Sequence, residues 1–260
     1  MLILRTADAD LRSNNGRFQY PASGPVEAPD WSPKPTCGGG LHGLRDGVGS
    51  GDLLDAAADA VWQVLDAPDD GPCVDLVGKV KVPRAVVAYS GDRAGALAYL
   101  DASGCQDRPV VFATRTAGDR GTATAGYRGT ATAGHGGTAT AGHWGTATAG
   151  HWGTARAGHR GTATAGHRGT ATAGDGGTAT AGRRGTATAG HGGTATAGDE
   201  GTATAGDRGT ATAGDRGILI ITRCVGGVYG RSVAFVGLAG IEPDVAYRLD
   251  DEGAFDRVAS

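Results

Sequence analysis

The chain has 260 residues, a formal net charge of −3, 49 glycines and only 5% aromatic residues. That balance gives no electrostatic case for nucleic acid or an anionic membrane surface, and so few large side chains confine any globular core to the chain ends. Four scattered cysteines, Cys37, Cys73, Cys105 and Cys224, lack the paired spacing of a metal site and read as reduced, so no metal and no cofactor are expected.

Residues 1–112 read as a small α/β domain. The opening Met1 to Asp10 is too short and too charged for a signal peptide, and no apolar run reaches membrane-span length. The default expectation is therefore a cytoplasmic protein without a membrane span. Met1 to Arg5 predicts a strand, followed by a Pro/Gly-rich passage from Gly16 to Gly40 and a Gly-rich turn from Cys37 to Gly43. Leu53 to Ala60 predicts a short helix. Val61 to Leu65, Val74 to Val77 and Lys79 to Tyr89 predict strands, and Arg93 to Ala102 has helical spacing. The Gly38-Gly39-Gly40-Leu41-His42 stretch is similar to the Gly-x-Gly-Ile-Tyr segment of ADP-ribosyltransferases, although no matching catalytic Glu can be placed. Cys37 with His42 reads as core packing rather than half a metal site. The domain is expected to shield the first coil of the adjoining repeats, with Arg115 marking the junction.

From residue 113 to 216 the phrase Gly-Thr-Ala-Thr-Ala-Gly-x-x recurs as thirteen octads without an insertion. A fixed short period of this kind signals a repeat architecture. Thr-Ala-Thr-Ala alternates, so threonines point to one face of a strand and alanines to the other, while the flanking glycines supply turns. Eight residues only reverse the chain. Two octads close a coil, which predicts a two-sided parallel β-solenoid with sixteen-residue coils, a triangular coil of twenty-four being the alternative. Alanine fills a thin dry seam and asks for no partner, whereas a buried Thr hydroxyl needs one, so Thr is placed outside.

Stacking at sixteen separates two threonine faces. One carries Thr114, Thr116, Thr130, Thr132, Thr146, Thr148, Thr162, Thr164, Thr178, Thr180, Thr194, Thr196, Thr210 and Thr212 without a gap; in the other Arg156 interrupts the series. Such files, about 7 Å apart along the strand and about 4.8 Å between coils, form a lattice of hydroxyls and methyls able to hold ordered water. The competing reading is that Thr is simply a soluble β-former spread by repeat duplication. At the turns, His135, His151 and His167 line one edge and His143 and His159 the other, a ladder suited to solubility, to metal or to pH sensing. Trp144 and Trp152 sit at adjacent turns on opposite edges and suggest contacts with another rod or the end domain.

Residues 217–260 read as a short β cap. Ile218 and Ile220 replace the threonines of a fourteenth octad, so both faces of that strand are apolar, and Val225 to Ser260 should lay a few short strands over the last coil. Asp250-Asp251-Glu252 should be solvated.

In another phase, Ala125-Gly126-Tyr127-Arg128-Gly129-Thr130-Ala131-Thr132 resembles the Ala-Gly-Tyr-Gly-Ser-Thr-x-Thr octapeptide of bacterial ice-nucleation proteins. The tail, through Ile218-Leu219-Ile220, Arg223-Cys224, Tyr229, Val233-Ala234, Gly240-Ile241-Glu242, Asp244 and Tyr247, is similar to that family's C-terminal cap. The resemblance implies a Thr-x-Thr surface that organises water or ice. It also implies end-to-end assembly through Asp-Arg coils near the cap, here Asp207, Arg208, Asp215 and Arg216, and association with the cell surface. The family alternates its Thr-x-Thr octads with different ones, whereas this chain carries Thr-Ala-Thr on nearly every octad. About six and a half coils make a rod of only about 31 Å. The expectation is a non-enzymatic ice-nucleation-like protein whose partners are ice or ordered water and further copies of itself, by end-to-end or edge contacts. The alternatives are a rigid scaffold without an ice role, and an enzyme with an ADP-ribosyltransferase-like N-terminal domain.

Overall fold

The computed structural model describes residues 1–13 and 18–259 and divides them into two compact units, Met1–Ala113 and Thr114–Ser260. Gly16, where the Pro/Gly-rich passage begins, and the final Ser260 lie outside the described residues.

In the first unit the central strand is β1 (Leu2–Ala7), buried along nearly its whole length. Around it lie β2 (Gly24–Glu27), β3 (Leu41–Arg45), β4 (Val61–Asp66), β5 (Val74–Asp75), β6 (Val80–Val82) and β7 (Arg84–Gly91), in the order β2-β7-β4-β1-β3-β6-β5, all antiparallel. The α-helix α1 (Arg93–Leu100), continued by a π turn over Asp101–Cys105, is started by Asp92, whose carboxylate accepts the Gly95 amide at 2.7 Å, and buries Ala96 and Leu100. The unit is thus richer in strand than the α/β pattern suggests.

Four local expectations are corrected. Leu53 to Ala60 forms no helix beyond a single turn at Gly51–Leu53. The Asp55 amide is taken by Thr6 Oγ1 at 2.8 Å and the Asp55 carboxylate by the Ala57 amide at 2.9 Å, hydrogen bonds that compete with helix formation. The strand expected over Lys79 to Tyr89 is split into β6 and β7 at Pro83, which has no amide to donate to a ladder. The strand from Val74 stops at Asp75, because Val77 turns to φ 60° and stands in solvent. The turn at Cys37 to Gly43 ends early, since Leu41 to Gly43 belong to β3, where a Cβ on Gly43 would lie 2.5 Å from the Leu4 carbonyl oxygen.

The second unit holds the octads. Thirteen four-residue strands run from β8 (Thr114–Ala117) and β9 (Thr122–Ala125) to β19 (Thr202–Ala205) and β20 (Thr210–Ala213), one per octad. Even-numbered strands stack in one parallel sheet and odd-numbered strands in the other, each residue facing the one sixteen further on, as Thr130 faces Thr146 and Thr138 faces Thr154. The sixteen-residue coil therefore holds and the twenty-four-residue alternative falls. Alanines of the two sheets meet in the seam, Ala147, Ala163 and Ala179 being fully buried.

Turns are laddered as tightly as strands. In Gly150-His151-Trp152-Gly153 the Gly153 amide closes onto the Gly150 carbonyl at 3.1 Å, the Trp152 amide reaches the His167 carbonyl one coil on, and the Gly150 amide reaches the Ala133 carbonyl one coil back. A Cβ on Gly150 would lie 2.9 Å from the Gly134 backbone, so only glycine allows the turns to stack this closely.

The cap comprises β21 (Ile218–Val225), β22 (Val228–Phe235), β23 (Tyr247–Leu249) and β24 (Phe255–Arg257). The first continues the parallel stack from β19, β22 folds back antiparallel on it, and β23 lies antiparallel to β20 at the end of the other sheet. Leu219, Ile221, Val236, Ile241 and Tyr247 close the alanine seam with large side chains. Ile218 and Ile220 are only half-buried; Leu219 and Ile221 carry the buried side of β21.

Candidate functional site

The fourteen threonines of the gap-free series stand on seven successive strands of one sheet, β8 to β20, in register throughout. All point away from the alanine seam. On most strands the first threonine of the pair is exposed and the second half-buried, as at Thr146 and Thr148 or Thr162 and Thr164. Among the described residues no hydrogen bond within the chain takes up these hydroxyls. Neighbouring strands are about 4.8 Å apart, too far for one Thr hydroxyl to satisfy the next directly, so water is the natural partner. The opposite face is also threonine-rich, but Arg156 sits exposed between Thr140 and Thr172 in the same file. That file ends on Ile220.

The turn positions form two further rows. His143 and His159 lie with ring centroids 6.0 Å apart on one edge, as do His151 and His167 on the other. Burial, and then the positive charges of Arg168 and Arg183, hold His167 below the ordinary histidine value. Among the described residues no group of three or more His, Cys, Asp or Glu is placed to hold a metal ion. Trp144 and Trp152 are exposed, each with an arginine one coil on lying over its ring, Arg160 at 4.9 Å and Arg168 at 4.5 Å. These pairings go unnoticed in a linear reading, although the sixteen-residue offset carries them.

That offset also explains the aspartates. Asp119 accepts the His135 amide at 2.8 Å, Asp175 the His191 amide at 2.9 Å and Asp199 the Asp215 amide at 3.1 Å. Each carboxylate occupies the first turn position and satisfies an amide of the next coil. Asp207 does the same for Cys224 of the cap at 2.9 Å, and only 18% of its side chain is exposed. Of the four assembly candidates Asp207 is thus engaged inside the chain, whereas Arg208, Asp215 and Arg216 are 82%, 66% and 71% exposed. Glu200 gathers Arg184 at 2.7 Å, Arg183 at 3.1 Å and Arg216 at 3.3 Å; hydrogen bonds from Arg184 and Arg183 lower its pKa to about 2.

In the first unit, Cys37 lies 3.2 Å from Lys79 Nζ, and the Gly38 amide points at His42 Nε2 at 3.4 Å. Among the described residues no helix is long and apolar enough to cross a membrane.

No family model matches the chain, and no solved structure does. An ice nucleation protein of Xanthomonas campestris pv. translucens is 38% identical over 104 residues, 40% of this chain and 7% of that protein. One from Pseudomonas syringae is 37% identical over 102 residues, 39% of this chain and 8% of the relative. Another, from Pseudomonas fluorescens, is 46% identical over 102 residues, 38% and 8% respectively. The chain matches under a tenth of the length of these relatives. Over about 40% of its length, then, this chain is similar in sequence to the bacterial ice nucleation proteins.

Proposed function

We propose that the chain is a non-enzymatic, ice-nucleation-like protein whose gap-free threonine face holds water in an ordered array. The observation that carries this reading is the file of outward Thr pairs, in register from Thr114–Thr116 to Thr210–Thr212, whose hydroxyls have no partner among the described residues. A rigid parallel sheet fixes those hydroxyls before water arrives, so the ordering entropy is met on folding rather than on binding. The Arg156 face is the weaker template, because a long cation replaces one hydroxyl near its middle and binds water in its own geometry.

A single rod of this length is a small template, and association multiplies it. Arg208, Asp215 and Arg216 remain exposed to a second copy, Arg216 while also pairing with Glu200 and Asp215 within the chain, and Asp207 ties the cap to its coil through the Cys224 amide.

Droplet-freezing measurements on the purified chain test the proposal. Substituting Thr146, Thr148, Thr162 and Thr164 by Lys should bring freezing back to the buffer baseline while leaving the β circular dichroism unchanged. The same change at Thr138, Thr140, Thr170 and Thr172 should cost less. A wild-type chain that freezes with buffer would leave the rod as a scaffold without an ice role.

A further inference from the structure

The first unit holds a cleft of about 530 Å³ that the threonine array has no use for. We propose that it is a binding site for a small oxyanion, a phosphate or a carboxylate carried on a small molecule. At its base lies Arg5, 5% exposed, on the central strand β1. Its guanidinium donates to Gln63 Oε1 and lies 3.4 Å over the Tyr20 ring. Gln63 is itself locked, its amide nitrogen donating to the Pro21 carbonyl at 3.0 Å and to Ser90 Oγ at 3.2 Å. Among the described residues no carboxylate pairs with Arg5, so a buried full charge is held by a neutral amide and a ring face alone. Burial lowers its pKa, the direction expected of a cation that lacks a counter-charge. Burying an ion without a counter-ion is costly, and an anion entering the cleft would repay that cost.

Other cations point the same way. Lys79 lines the rim. Lys81, fully buried, sits behind the wall and donates from Nζ to the Thr36 and Gly38 carbonyls, each at 2.9 Å. Against the two cations of the lining, Arg5 and Lys79, there is one carboxylate, Asp30. The wall between them is Gly38-Gly39-Gly40, all at positive φ, at 96°, 63° and 146°. At Gly39 and Gly40 a Cβ would run into Asp30, Ser32 and Trp31, so those glycines serve the packing of the loop itself, and only at Gly38 does the missing side chain leave open space. Lys81 holds that run in place from within. The volume suits a small organic ligand.

The cleft contains its own reporter, since exposed Cys37 lines it while Cys73, also exposed, does not. Alkylation of both thiols by iodoacetamide, followed by peptide mass spectrometry on the full chain, is to be measured at constant ionic strength against inorganic phosphate, ADP and citrate. At least one probe should slow Cys37 and leave Cys73 unchanged. Phosphate and ADP against citrate tells phosphate from carboxylate, and phosphate against ADP tells a bare ion from an organic one. The half-protecting concentration, rather than the rate, should rise about tenfold in Arg5→Gln and about threefold in Lys79→Gln. Lys79 is only half-buried, so its variant keeps the test intact if Arg5→Gln does not fold. The proposal falls if no probe protects Cys37 up to about 10 mM. It also falls if protection survives in Lys79→Gln undiminished, or if it disappears on replacing Arg183 and Arg184 of the solenoid edge.

Discussion

The two units of this chain bury hydrophobic surface on opposite plans. In the first, large and unlike side chains fill one sheet face, Ile3, Leu41, Leu65, Val80 and Val82 among them, and four polar side chains, Arg5, Thr6, Gln63 and Lys81, are buried with specific partners. In the second the interior is almost wholly alanine, repeated in register, and the backbone ladder through strands and turns does most of the holding. A varied core concentrates stability in a few side chains. A uniform thin core spreads it over identical neighbours, so each coil depends on the next and the ends are where it opens.

The largest expected effect is therefore at the end of the stack. Leu219→Asp puts an unpaired charge where Leu219 is fully buried under the cap, at a cost of about 3–5 kcal/mol. Hydrogen exchange should accelerate first in β19 and β20, then progressively down the rod, with β1 and β4 untouched. Simultaneous loss of protection in both units would mean that their cores do not hold independently.

Exchanging the two plans comes next. Leu65→Ala in the first unit removes a fully buried side chain from an interlocked core and should cost about 2–5 kcal/mol, lowering the melting temperature of that unit alone. The reverse change, Ala163→Leu in the middle of the seam, forces bulk between two sheets that alanine keeps close, at about 1–3 kcal/mol. Its signature is local: protection is lost at β12, β14 and β16 while the rest of the ladder stays closed. A global two-state loss after Ala163→Leu would mean the coils are more strongly coupled than nearest-neighbour stacking allows.

The same difference decides what could be read from the sequence. Octad strands were legible because their partners lie at a fixed offset, so local pattern and tertiary contact carry the same information: Thr130 meets Thr146 by counting alone. The threonine face followed from that count. In the first unit partners are set by the fold. Leu41 to Gly43 looks like the end of a glycine turn until β1 is known to lie beside β3, and Leu53 to Ala60 looks helical until Thr6 takes the Asp55 amide from forty-nine residues away. The cleft was hidden for the same reason: Arg5, Lys79 and Gly38–Gly40 are neighbours only after the sheet has formed. Asp207 stands out in the sequence only as the neighbour of Arg208; that its carboxylate also takes the Cys224 amide, one coil on, is visible only once the coils are stacked.

A smaller effect separates stability from association. Arg208 is largely exposed and sits at φ 57°, a conformation that costs a non-glycine residue about 1 kcal/mol and that Gly136, Gly176 and Gly192 adopt freely at equivalent turns. Arg208→Gly should leave the rod as stable as before or firmer by about 0.5 kcal/mol, once the extra chain entropy of glycine is set against the relieved strain. If Arg208 contributes to assembly, sedimentation should show fewer associated copies at equal or higher melting temperature. Unchanged association would remove Arg208 from that role.

The smallest effect has a definite pH window. Hydrogen bonds from Arg184 and Arg183 hold Glu200 at about 2 in the folded chain, below its ordinary value of 4.5. A carboxylate with a depressed folded pKa contributes stability that is fully present above the unfolded value and is lost as pH falls through the folded one. The contribution should therefore be constant from neutral pH down to about 5, decline between about 4.5 and about 2, and vanish below. The Glu200 side chain is 24% exposed and its arginine partners lie at the surface, so the change is modest and should shrink further in high salt. Glu200→Gln should remove this part of the acid dependence of the second unit's melting temperature, while the first unit, which does not contain Glu200, keeps its own profile. A Gln variant whose acid profile superposes on the wild type would show that the Arg183–Glu200–Arg184 group is too well screened to couple neighbouring coils, leaving the backbone ladder and the alanine seam to do so alone.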